Sequence, residues 1–90
     1  EFVLLLPEQD LAGASIAVER VRAAVQARAL VHPQSEHGVV TISGGLASSS
    51  SIVPLTAEGL LHAADLALFE SKAVGRNTLT VVSEAPRALT

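Results

Sequence analysis

The sequence predicts an α/β fold, a sheet with helices packed on it, running β-α-β-α-β along the chain. Three observations carry this: a continuous apolar run at the start, two helical periodicities that follow it, and short β-prone segments between and after them. At 90 residues the chain has room for one domain at most. A domain of this size buries only about 60% of its unfolded surface. Yet 49% of its residues are hydrophobic and the mean hydropathy is +0.45, so apolar surface is expected to remain for a partner segment.

Phe2-Val3-Leu4-Leu5-Leu6 is apolar without alternation and ends at Pro7. That pattern predicts a strand buried on both faces. The chain opens on Glu1 rather than Met and enters this run at once, so its start reads as an edge inside a longer domain. Asp10 is placed to cap a first helix ending near Arg28. Leu11, Ala14, Val18, Val21 and Val25 recur at helical spacing, and Glu19, Arg20, Arg22 and Gln26 fall mainly on the other side.

The polar stretch from His32 to Gly38 contains Pro33 and reads as a loop or hairpin turn. Val39 to Ala47 reads as a strand, with Gly44-Gly45 inside it as a bulge or a close approach of another backbone or ligand; the bulge is the favoured reading. Ser48 to Ser51 reads as a solvated loop. Thr56 is placed to cap a second helix, with Glu58 in its first turn favoured by the helix dipole. Leu60, Leu61, Ala64, Ala67, Leu68 and Ser71 form its expected inner face, and Gly75 its terminator. Thr78 to Val82 completes the strands, so the domain is expected over residues 1–82, with 83–90 a frayed tail. Three strands leave an open sheet edge, which normally needs covering.

Composition excludes several functions. Six Lys/Arg against nine Asp/Glu give a net charge of −3 and no basic stripe, which argues against nucleic-acid binding. Without cysteine there is neither a disulfide framework nor a thiolate metal site. The opening apolar run is too short to span a membrane and lacks the basic flank of a signal peptide, so the chain reads as soluble. His32, His37 and His62 fit no standard metal spacing and read as surface or structural residues. Gly44-Gly45 is followed by no Gly-Lys-Ser/Thr, so it is not a P-loop. Asp65 reads as structural or orienting.

Lys72 in the last helical turn and Arg76 just past Gly75 have two readings. They complement the negative end of the helix dipole, worth roughly 0.3–1 kcal/mol each. Alternatively they clamp a polyphosphate, Lys as a point charge and Arg as a planar fork.

The stretch from Ala64 to Asn77 resembles the end of GGDEF (diguanylate cyclase) domains, with pattern A-D-x-A-L-Y/F-x-A-K-x-x-G-R-N. Ala64, Asp65, Ala67, Leu68, Phe69, Lys72, Gly75, Arg76 and Asn77 are in register; Ser71 departs where Ala is common. Glu1-Phe2-Val3 is similar to the end of the signature and the strand after it. Val40 to Ala47 resembles V-T-x-S-x-G-V-A, and Glu19-Arg20-Val21-Arg22 resembles A-E-R-I-R. The pieces lie in the family's order over residues 1–82, so the chain resembles the C-terminal half of such a domain.

The resemblance implies a partial nucleotidyl-cyclase-like, ferredoxin-type fold and a part in a bacterial second-messenger enzyme. Two such domains face each other, each presenting one GTP, and condense the pair into cyclic di-GMP and pyrophosphate with Mg²⁺ or Mn²⁺. It further implies that Lys72 and Arg76 contact GTP phosphates, that Glu1 sits beside the metal and the reacting 3′-hydroxyl as a catalytic group, and that Arg20 completes a product-inhibition site. The family's metal-binding Asp, guanine-reading residues, signature glycines and R-x-x-D motif would precede Glu1, so this stretch alone is expected to be inactive. The expected location is cytoplasmic, with any inner-membrane tether outside this chain. The alternative function is a degenerate GGDEF module that binds GTP, cyclic di-GMP or a protein partner without catalysis.

Overall fold

A computed structural model describes residues 1–82. The expected tail, 83–90, lies outside the described residues. The elements in order are helix α1 (Leu11–Ala27), strand β1 (Gly44–Leu46), a 3₁₀ turn (Ser49–Ser51), helix α2 (Ala57–Ala73) and strand β2 (Leu79–Val81).

Both helices begin where a short polar side chain replaces the missing carbonyl partner of the first turn. Asp10 Oδ1 accepts from the Gly13 amide at 2.7 Å, and Thr56 Oγ1 from the Gly59 amide at 2.9 Å. At the other end of α2 the chain turns left-handed at Gly75 (φ +121°), and the Arg76 amide reaches back to the Ser71 carbonyl at 2.9 Å. This six-residue closure satisfies a carbonyl the helix leaves unpaired, and glycine makes it cheap.

β1 and β2 are parallel and joined through α2, with Gly44 opposite Leu79, Gly45 opposite Thr80 and Leu46 opposite Val81. A parallel pair cannot be joined by a tight turn, and α2 supplies the crossover. α2 lies on this pair. Ala67 and Ser71 are buried on it, as is Ala14 on α1.

Gly44-Gly45 is not a bulge, because the ladder runs through it in regular register. A Cβ on Gly45 would collide with the Ala64 oxygen and the Leu68 nitrogen of α2. The second glycine is there so that helix and strand backbones can touch.

Phe2 to Leu6 does not form a strand: among the described residues the sheet holds only β1 and β2, and Phe2 is wholly exposed. An extended segment without a neighbour to take its amides and carbonyls has no reason to hold strand geometry. The strand expected over 39–47 shortens to Gly44–Leu46 because β2 opposes only three residues. Upstream of it, Val31 and Val39 form an antiparallel bridge, so the stretch between them is a hairpin turn. Ser49–Ser51 forms a 3₁₀ turn rather than an irregular loop. Leu61 and Val21, expected to face inward, are exposed; Arg22 takes the inward place on α1.

Candidate functional site

The C-terminal end of α2 and the turn after it carry the candidate site. Lys72 stands in the last turn, half exposed, where the helix dipole favours a cation. That same dipole disfavours an anion, so a phosphate here has to be held by side-chain charge rather than by helix amides. Glu1 comes to this place from the start of the chain: its Oε2 lies 3.8 Å from Lys72 Nζ. Both groups face solvent, so the pair contributes at most about 1 kcal/mol to stability. Two candidate residues from opposite ends of the sequence thus share one patch.

Arg76 follows the Gly75 turn with φ +61°. Its side chain is exposed and makes no hydrogen bond or ion pair among the described residues. It lines an open groove of about 620 Å³ with His32, Gln34, Ser35, Glu36, Val40 and Thr41. The groove lies between the turn after α2 and the 31–39 hairpin, so the guanidinium is free to meet an anionic group there.

The turn carrying Arg76 is tied from three sides. His37 Nε2 lies 2.9 Å from the Gly75 carbonyl oxygen, and since a carbonyl only accepts, this ring nitrogen carries the proton. The Asn77 amide donates to Ser43 Oγ at 3.1 Å. Arg22 Nη1 donates to Asn77 Oδ1 at 2.8 Å, from α1. Arg22 is held in turn by both Glu19 carboxylate oxygens, each 2.9 Å from its Nε, and by Gln26 Oε1 at 2.9 Å from its Nη1. The hydrogen bond from Arg22 holds the Glu19 carboxyl below its ordinary range, with the opposite charge adding to it against some desolvation. The Glu19 hydrogen bond correspondingly raises Arg22.

Arg20 points elsewhere. It lines a shallow depression with Ser15, Ile16, Glu19, Thr78 and Leu79, and makes no hydrogen bond or ion pair among the described residues. Asp65 and His62 are exposed on α2. His37 has a structural contact, through Gly75.

The described residues do not by themselves suit a magnesium ion. Mg²⁺ takes six oxygen ligands in near-octahedral geometry and is usually held by one or two carboxylates together with phosphate and water. Here Glu1 offers one exposed carboxylate, already beside an ammonium, and among the described residues no three His, Asp or Glu side chains gather to hold a metal.

Sequence reasoning placed Arg22 on the outer face of α1 and so missed its part in the site. The signal was available: Arg22 is four residues after Val18 and three before Val25, on the apolar stripe itself. A cation on that stripe calls for a partner, and Asn77 is that partner.

No helix among the described residues is long and apolar enough to cross a membrane. The family model "Diguanylate cyclase, GGDEF domain" matches residues 1–78. No curated protein gives a significant match to the chain.

Proposed function

This chain belongs to the GGDEF family of diguanylate cyclases, and from that premise we propose that it forms the phosphate-holding side of a GTP site in the synthesis of cyclic di-GMP. The observation that carries this is the meeting of Glu1 with Lys72 at the end of α2, one turn before the exposed guanidinium of Arg76.

Lys72 and Arg76 neutralise the triphosphate, Lys by point charge and Arg by its planar fork. In the reaction the 3′-oxygen of each GTP bonds to the α-phosphorus of the other, the bond to pyrophosphate breaks, and each hydroxyl gives up its proton. Two domains therefore work face to face. Charge builds on the departing pyrophosphate, and the two cations stabilise it more than they stabilise bound GTP. Glu1 is proposed to face the 3′-hydroxyl, a role supported by its carboxylate lying 3.8 Å from the Lys72 ammonium. Arg20, apart from this patch, is proposed to belong to a product-inhibition surface. Since the described residues lack a magnesium site, no step is assigned to the metal, and the 90-residue chain by itself is expected to make no cyclic di-GMP.

The test is equilibrium binding of GTP by the protein and by its Lys72→Ala and Arg76→Ala variants. Loss of one charge-assisted contact corresponds to about 1.5–3 kcal/mol, or roughly ten- to 150-fold in affinity. Variants that bind GTP as tightly as the unaltered protein would refute the clamp. Normal GTP binding together with an absence of cyclic di-GMP in every assembly containing this chain would favour a regulatory module over a cyclase.

A further inference from the structure

Gly75, Arg76 and Asn77 have φ of +121°, +61° and +49° in succession. Glycine adopts such angles freely, but each L-residue with a side chain gives up stability there, asparagine less than arginine. A strained pair of this kind persists only where its surroundings over-determine it. Four contacts do so here: Ser71 holds the Arg76 amide, Ser43 the Asn77 amide, His37 the Gly75 carbonyl and Arg22 the Asn77 side chain. Of these only Arg22 comes from α1, and it reaches 55 residues along the chain to do so.

We propose that Arg22 is a positioning residue for GTP phosphate binding: through Asn77 it fixes the left-handed turn that aims Arg76. This rests on the reading of Arg76 as a phosphate ligand. Arg22 has the means. Its side chain is only 18% exposed, and its fork is filled by Glu19 on one edge and by Gln26 and Asn77 at Nη1. Because a guanidinium only donates, it requires an oxygen of Asn77 to face it, which fixes that amide's orientation and with it the backbone at 77. Lysine cannot replace it, since a single ammonium on a flexible stem cannot hold Glu19 and Asn77 in one plane. Arg76 itself makes no hydrogen bond or ion pair among the described residues.

The experiment combines GTP affinity with the NMR signature of the turn, in the protein and in Arg22→Ala, Arg22→Lys, Asn77→Ala and Asn77→Asp. A positive φ brings a residue's amide and α protons close, giving a strong intraresidue nuclear Overhauser effect. Arg22→Ala and Asn77→Ala are expected to weaken that effect at residues 76 and 77 while α1 stays helical, and to lower GTP affinity roughly tenfold. Asn77→Asp keeps the acceptor and is expected to keep both, whereas Arg22→Lys is not. In an Arg76→Ala background, Arg22→Ala is expected to cost no further affinity. An unchanged turn signature in Arg22→Ala would overturn the proposal, and so would an undiminished affinity loss in the Arg76→Ala background. If Arg76→Ala alone leaves GTP binding intact, the phosphate reading falls, and the turn signature still decides whether Arg22 sets the turn.

Discussion

Ser71 Oγ lies 2.7 Å from the Gly44 carbonyl oxygen and 2.7 Å from Thr80 Oγ1, so one hydroxyl on α2 touches both strands. A hydroxyl has a single proton. The Gly44 carbonyl can only accept, so Ser71 gives its proton there, and Thr80 must give its own to Ser71. The position where alanine would be usual in the family is thus a three-way link between helix, β1 and β2, and Ser71 has no exposed surface at all.

Ser71→Ala should therefore destabilise the fold, because Thr80 keeps a hydroxyl with no partner. Thr80 is only half-buried, so stranding its hydroxyl costs about 1 kcal/mol, the low end of the penalty for an unmade hydrogen bond. Replacing both members by apolar residues of similar shape removes the stranded group, so Ser71→Ala/Thr80→Val should be more stable than Ser71→Ala alone. Urea unfolding is the measurement, read as a midpoint shift at constant slope. A single variant as stable as the unaltered chain would show that the link contributes nothing.

What was legible in the sequence and what was not divides by the range of the interaction. Asp10, Thr56 and Gly75 act on amides and carbonyls within a turn of themselves, and each is found doing so or holding the expected conformation. Phe2 to Leu6 was misread because an apolar run says that burial is favourable, not that a neighbouring strand stands beside it. Gly44-Gly45 was ambiguous because a bulge and a helix contact both call for a missing side chain, and only the packing of α2 decides between them. In the candidate site, Lys72 and Arg76 stand out in the sequence by charge and position alone, and their role is a proposal. Their surroundings do not stand out: the Glu1 contact and the Arg22–Asn77 bond join residues distant in sequence, and no local period encodes such pairs.

The glycine pair gives a graded test of that packing. A Cβ at residue 45 meets backbone, the Ala64 oxygen and Leu68 nitrogen, with the Ala67 carbonyl carbon at 2.9 Å. Backbone in the middle of a helix cannot move aside alone, so α2 has to shift as a body. A Cβ at residue 44 meets Leu79 Cδ1 at 3.0 Å, the far end of a side chain that can rotate. Gly45→Ala should cost about 3 kcal/mol or more, and Gly44→Ala distinctly less. Thermal or urea melts compare them directly, and equal losses would contradict a direct backbone contact at Gly45.

The Glu19–Arg22 pair gives an acid-range test of the same scaffold. Glu19 is held below its ordinary value of 4.5, chiefly by the hydrogen bond from Arg22. A carboxylate whose folded pKa is lowered contributes stability above its unfolded pKa and loses it as the pH falls through the folded one. From pH 7 down to about 5 the stability difference between the unaltered chain and Glu19→Gln should therefore stay constant. It should shrink only as the pH falls below the ordinary glutamate value and Glu19 takes up its proton. The same protonation releases the Nε edge of Arg22, so the amide signals of Arg76 and Asn77 should begin to move in that pH range and not before. A difference that shrinks between pH 7 and 5, or grows on acidification, would mean that Arg22 does not hold Glu19 ionised. Amide shifts at 76 and 77 that stay flat while Glu19 titrates would show that the pairing on α1 does not reach the turn.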